Sequence, residues 1–185
     1  MELALDQWYF QEAQAFLDGN FLQDGALAAY LRMEADIANL LVALRFAHNP
    51  GERKELREWF GTDDLTGLFV GPGQISFDLL AEVARQENLG AAVEILVGTR
   101  YQPPLKTGMN AFARTSRLSD LEKSLHYFQL EWEAEQMLKD PLGIGIVIGY
   151  LALKENEVSN IRWIAHGLNL GLETSAIRAE LEYLS

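Results

Sequence analysis

The stretch Tyr150 to Gly171, YLALKENEVSNIRWIAHGLNLG, decides the fold. Leu151, Val158, Ile161, Ala165 and Leu168 recur at spacings of three, four or seven, which is one face of an α-helix. Glu155 and Arg162 sit two turns apart near that face, with Asn160 between them in sequence. Gly167 and Gly171 bracket the stop, because glycine tolerates the left-handed conformation that ends helices.

The pattern occurs twice. Tyr30 to Phe46 reads YLRMEADIANLLVALRF. A shift of 121 positions sets Glu34 on Glu155, Asp36 on Glu157, Ile37 on Val158, Asn39 on Asn160 and Leu40 on Ile161. The register extends back through Ala13 on Ala134, Phe16 on Met137 and Leu17 on Leu138. One structural unit is therefore expected twice, with internal pseudo-symmetry. The first spans 1–117. The second, 118–185, is the equivalent of 1–60 and is cut short by the C-terminus.

Around these two stretches the chain reads as helix after helix. Gln7 to Leu17 places Trp8, Phe10, Ala13, Phe16 and Leu17 on or near one face, and Asp18-Gly19-Asn20 breaks it. Gly25 to Phe46 is a long helix ended by Asn49-Pro50-Gly51. Glu52 to Phe60 is a short charged helix with Leu56, Trp59 and Phe60 inward. Gly61 to Gly73 is a loop in which Leu68 to Val70 forms a brief extended piece. Ile75 to Gln86 is helical, with Ser76 as a candidate cap, and Leu89 to Leu96 is another short helix. Thr99 to Lys106 contains Pro103-Pro104 and reads as a loop. Leu118 to Lys139 is the second long helix, with Ser119 and Glu122 as a capping box. Asp140 as cap and Pro141 at the first helical position then open the next helix. The apolar run Ile144 to Leu153 reads as buried helix, and Thr174 caps a last helix whose Ile177, Leu181 and Leu184 face inward. No segment alternates over five residues, so the fold class is all-α, built from pseudo-symmetric helical repeats.

Composition narrows the function. The 185 residues suffice for one sizeable core or two small ones, and 49% hydrophobic content is ordinary for a globular protein. A net charge of −12 with scattered Lys and Arg argues against nucleic acid, whose backbone needs a basic stripe. The absence of cysteine removes disulfides, thiolate metal sites and a thiol nucleophile, and fits a reducing compartment. MELALDQWYF lacks the basic start of a signal peptide, and no apolar run approaches the ~20 residues of a membrane span.

Candidate chemistry is sparse. His48, His126 and His166 stand in no H-x-x-x-H or E-x-x-H pattern, and Glu122 with His126 reads better as a surface pair than as half a metal site. Asp63-Asp64 reads as a solvated loop. Gly143-Ile144-Gly145 with Gly149 has helical flanks and no following Lys-Ser, so close helix approach is the better reading than phosphate binding. Ser116, Ser119 and Ser124 lack a nucleophile-elbow context. The remaining polar constellation is Glu34, Asp36, Asn39 and its counterpart Glu155, Glu157, Asn160, Arg162. A set that recurs on the same face of two repeats is expected to be architectural, tying each helix to its neighbours. No catalytic, cofactor or metal residue is assigned.

With the repeats in hand, the chain resembles the C subunits of the V/A-type ATP synthases and ATPases, counterparts of the eukaryotic vacuolar d subunit. The residues that carry the resemblance are the acidic-x-acidic-h-x-N-h-x-x-h-h helix in both copies (Glu34 to Leu44, Glu155 to Ala165), Thr99-Arg100-Tyr101 with the following prolines, and Leu118 to Leu125. Asp140-Pro141-Leu142-Gly143 leading to Gly149-Tyr150 and Gly167 to Leu172 with Ile177-Arg178 complete it. Family members carry three similar units around a pseudo-threefold axis, and this chain matches only their C-terminal part, somewhat over half. The resemblance implies a non-catalytic central-stalk subunit with a funnel-like bundle, peripheral on the cytoplasmic face of the membrane. Its implied partners are the proteolipid rotor ring and the central-shaft subunits, and it passes torque between them during proton or sodium transport. Membrane association is implied through those partners, without insertion. An unrelated all-helical scaffold or adaptor is the competing expectation.

Overall fold

A computed structural model describes residues 2–19, 25–60, 64–71, 73–139 and 141–184. Among them it contains nine α-helices and a 3₁₀ turn, with no strand. The helices are α1 (Glu2–Gly19), α2 (Ala26–His48), α3 (Pro50–Phe60), α4 (Phe77–Ala84), α5 (Leu89–Ile95), α6 (Gln102–Thr115), α7 (Leu118–Lys139), α8 (Ile144–Asn169) and α9 (Thr174–Glu180). The 3₁₀ turn is Thr66–Leu68. The chain divides into two compact units, Met1–His126 and Tyr127–Ser185.

In the first unit α2 is the centre. Ile37, Leu40, Ala43, Leu44 and Ala47 are buried along it, against α4 and α5. Those helices contribute Leu80, Val83, Leu89 and Ala92 to the core. Burial of the Ile, Leu and Val side chains supplies about 1.5–3 kcal/mol each before entropy is counted. Local chemistry sets the ends. The Ser76 hydroxyl accepts the Leu79 N–H at 3.3 Å and starts α4; the Asn88 side chain accepts the Ala91 N–H at 2.9 Å and starts α5. Arg53 of α3 closes the far end of α4, its guanidinium donating to the Ala84 carbonyl at 2.7 Å and pairing with Glu87 at 2.8 Å. A cation there offsets the unpaired carbonyls of a helix C-terminus.

In the second unit α8 packs on the last turns of α7 and on α9. Gly149 permits the first contact: a Cβ there would lie 2.4 Å from Met137 Cγ and 2.8 Å from the Glu133 carbonyl oxygen. α8 ends in a Schellman turn. Gly171 takes φ +67°, the Leu172 N–H donates to the Gly167 carbonyl at 2.9 Å, and the Gly171 N–H donates to Leu168 at 3.1 Å. Adding 121 to His48 and Gly19, where α2 and α1 stop, gives 169 and 140; α8 stops at Asn169 and α7 at Lys139.

Several expectations are corrected. Pro103 and Pro104 are not in a loop but in the first turn of α6, where a missing N–H costs nothing. Ser119 lies inside α7 and cannot be its cap. Pro141 precedes α8 by three residues, and Gly143 is the cap. Glu173, not Thr174, precedes α9. Asn49-Pro50-Gly51 ends α2 but also begins α3, with Pro50 at its first position. The run Ile144 to Leu153 is only partly buried: Ile148 and Ala152 are inside, while Ile146, Val147, Tyr150 and Leu151 are exposed. The repeat register slips by one residue in α7. Leu138 is 84% exposed, and Met137 packs on Gly149 as Leu17 packs on Ala28. Expectations for the Leu56, Trp59 and Phe60 side chains, and for Asn20, Asp63 and Asp140, lie outside the described residues.

Candidate functional site

Asp36 and Asn39 lie one turn apart on the buried face of α2, at 0% and 1% exposure. Buried polar groups require partners, and both have them. The Asn39 amide donates to the Val70 carbonyl at 2.9 Å, and its oxygen accepts the Val70 N–H at 2.8 Å. One side chain thus satisfies both backbone groups of Val70, as a neighbouring strand would. Asp36 accepts the Ile75 N–H at 3.0 Å through Oδ1 and the Tyr101 hydroxyl at 2.8 Å through Oδ2. Gly73 lies against it so closely that a Cβ would fall 1.9 Å from Asp36 Oδ1. Two carboxylate oxygens therefore fasten Ile75 and the entry to α6 onto α2. In the sequence Tyr101 stands out only within the Thr99-Arg100-Tyr101 motif, and nothing there marks Gly73 or Arg53.

Burial pushes the Asp36 carboxyl above the ordinary 3.8, outweighing the bonds from Ile75 and Tyr101, the Gln74 backbone and the Arg100 charge, which pull it down. The Tyr101 hydroxyl is raised too, first by burial and then by the Asp36 charge. The native state holds the Asp36 proton to a higher pH than the unfolded chain does. Between 3.8 and the raised value, the unfolded chain binds fewer protons, so this group lowers stability as pH rises through that window. Asp36→Asn is expected to remove that segment of the profile. Urea midpoints of wild type and variant across pH 4–7 check it; parallel profiles would overturn it.

The second unit repeats the clamp. Asn160 donates to the Glu182 carbonyl at 2.8 Å and accepts the Glu182 N–H at 3.0 Å. Here Asn156 adds a second donor to the same carbonyl at 3.1 Å. Asn160→Ala is thus expected to cost only about 1 kcal/mol, because one acceptor keeps a partner. Faster amide exchange at Glu182, with α8 otherwise unchanged, is the readout.

The other positions of the repeat are spread out. Glu34 accepts the Tyr9 hydroxyl at 3.2 Å, and burial together with the Glu34 charge pushes Tyr9 up to about 12. Glu157, the counterpart of Asp36, is exposed and pairs with Lys154 at 2.6 Å. Glu155 and Arg162 are exposed on α8. Within neither unit do these residues converge on one place.

The other candidates are accounted for locally. Asp64 accepts the Thr66 N–H at 2.9 Å and hydroxyl at 2.7 Å, closing the 3₁₀ turn. His48 stands edge-on to Phe112, with ring centroids 5.5 Å apart. Ser116 ends α6 in the left-handed conformation, φ 57°, and Ser124 donates to the Asp120 carbonyl at 3.0 Å. His126 and His166 are exposed. Among the described residues no three His, Asp or Glu side chains converge as metal ligands. A notch of about 260 Å³ is lined by Ser159, Arg162, Trp163 and His166, all from α8, so it is a dent in one helix surface.

The described residues are all-α, and comparison with known proteins gives the family. The sequence profile of the ATP synthase (C/AC39) subunit family matches residues 1–180, and the chain belongs to that family. It is 27% identical over 180 residues to the C subunit of the A-type ATP synthase of Methanocaldococcus jannaschii, covering 97% of this chain and 43% of that protein. The same subunit of Halorubrum lacusprofundi is 28% identical over 183 residues, covering 98% and 49%. That of Halobacterium salinarum is 27% identical over 190 residues, covering 100% and 50%. The chain spans about half the length of these relatives. No solved structure matches it.

Proposed function

We propose that the chain acts as a non-catalytic central-stalk subunit of a rotary V/A-type ATP synthase or ATPase, coupling the membrane proteolipid ring to the central shaft during proton or sodium transport. The family match over residues 1–180 carries this reading. The buried polar groups Asp36, Asn39 and Tyr101 support it, since their hydrogen bonds are spent on backbone and on each other rather than aimed into a cleft. In the same reading Asp36, Asn39 and Asn160 hold the fold and do no chemistry. None of the described helices is long and apolar enough to cross a membrane. Attachment at the cytoplasmic face then runs through partners, and the −12 charge suits basic partner surfaces.

The test is capture of the purified central-shaft subunits and the detergent-solubilised proteolipid ring by this chain, read by native mass spectrometry. A stoichiometric complex with either is expected. Binding to neither, with the chain folded by circular dichroism, would sink the coupling role and favour the scaffold alternative.

A further inference from the structure

Tyr101 carries one hydroxyl proton and faces two acceptors. Its oxygen lies 2.8 Å from Asp36 Oδ2 and 3.6 Å from Met33 Sδ. A hydroxyl donates once and accepts through two lone pairs, and a thioether sulfur is a weak acceptor. The proton therefore goes to the Asp36 carboxylate while that group is charged, and the sulfur stands as a second place for it. All three side chains are buried, Met33 and Tyr101 at 1% exposure and Asp36 at 0%. We propose that Asp36, Tyr101 and Met33 form a two-state hydrogen-bond switch, through which the core of the first unit takes up one proton without stranding a polar group.

The geometry fixes where that proton goes. Asp36 Oδ1 accepts the Ile75 N–H at 3.0 Å, and the Gln74 backbone N–H donates to the carboxylate as well. Gly73 packs against Oδ1 with no room for a Cβ. Backbone donors thus hold Oδ1 as an acceptor, and Oδ2 is left to receive the proton. Once protonated, Oδ2 becomes a donor to the Tyr101 oxygen. The tyrosine O–H then turns about its C–O bond towards Met33 Sδ. The hydrogen bond between the two oxygens persists with its direction reversed, and no heavy atom has to move. Among the described residues, Arg100, in the turn before α6, is the charged side chain that acts on Asp36, and it favours the ionised form; Tyr101 is the titratable one. Burial and the Asp36 charge push the Tyr101 hydroxyl up, so it keeps its proton and Asp36 is the group that titrates. Burial raises that carboxyl above 3.8, which brings the switch into the folded protein's range. The switch rests on contacts inside the first unit, and holds whether or not the coupling role does.

The test is a titration of the full chain from pH 4 to 7, followed by NMR on protein labelled at Asp carboxyls and Met methyls. The Asp36 carboxyl and the Met33 methyl are expected to titrate with one midpoint, above 3.8. Asp36→Asn, whose amide donates as the protonated carboxyl does, is expected to hold the Met33 methyl at its low-pH shift throughout. Tyr101→Phe is expected to abolish the methyl response. Met33→Leu keeps the volume and removes the second acceptor. Protonation then strands the Tyr101 proton, and the proton affinity of Asp36 is expected to fall about two- to tenfold. Near-ultraviolet circular dichroism reports that each variant is folded. A Met33 methyl that stays flat through the Asp36 midpoint, or still responds in Tyr101→Phe, overturns the proposal. So does an Asp36 midpoint unmoved by Met33→Leu, or unfolding before the carboxyl takes up its proton.

Discussion

Asn39→Ala is expected to destabilise the first unit by about 3–5 kcal/mol, because it strands two buried backbone groups at once. The Val70 carbonyl and N–H have the Asn39 side chain as partner, at 2.9 and 2.8 Å, and Val70 is only 4% exposed. Water cannot replace the amide without opening the loop that carries Phe69 and Val70 into the core. Aspartate at the position is expected to be nearly as harmful, since it accepts the N–H but leaves two acceptors facing each other at the carbonyl. Urea unfolding, with amide exchange at Val70 as the local probe, measures both. A loss below about 1 kcal/mol for Asn39→Ala would mean the clamp is incidental.

Gly149→Val is expected to cost the second unit about 3 kcal/mol or more, through overpacking rather than lost bonds. Met137 Cγ, 2.4 Å from the added Cβ, can swing aside; the Glu133 carbonyl, at 2.8 Å, is helix backbone and cannot. The two helices must part, exposing Ile148 and Ala152. Gly149→Ala is expected to cost less, because alanine favours the helix by up to ~1 kcal/mol over glycine. Gly19→Ala is the control. No neighbour lies within 4 Å of its added Cβ, so it is expected to be neutral or slightly stabilising. Thermal unfolding of the three variants separates a packing effect from a propensity effect; equal losses at 149 and 19 would overturn the account.

The helices were legible wherever periodicity and end chemistry agreed. α2, α4, α5, α7 and α8 fall where apolar spacing put them, and Ser76 caps α4 as its residue type suggested. The errors came where one residue type serves two conformations. Pro103-Pro104 reads as a breaker, yet proline also suits a helix's first turn, and only the turn before it tells which. Asp-Pro before α8 and Ser-x-x-Glu at α7 failed alike: the cap position depends on where the incoming chain enters, which packing fixes.

The sequence by itself determined an all-helical chain, since that is a property of periodicity, and set the expectation of one unit recurring at 121 positions. It also showed which asparagines and acids recur. It could not show that Asn39 and Asn160 grip a backbone 31 and 22 residues away, or that Asp36 is buried while Glu157 pairs with Lys154 in solvent. Nor could it show that Ile37 and Leu40 are buried on α2 while Val158 and Ile161 are exposed on α8. A helix's pattern says which face is apolar. What lies against that face depends on distant segments, and only the tertiary structure brings them there or leaves them away.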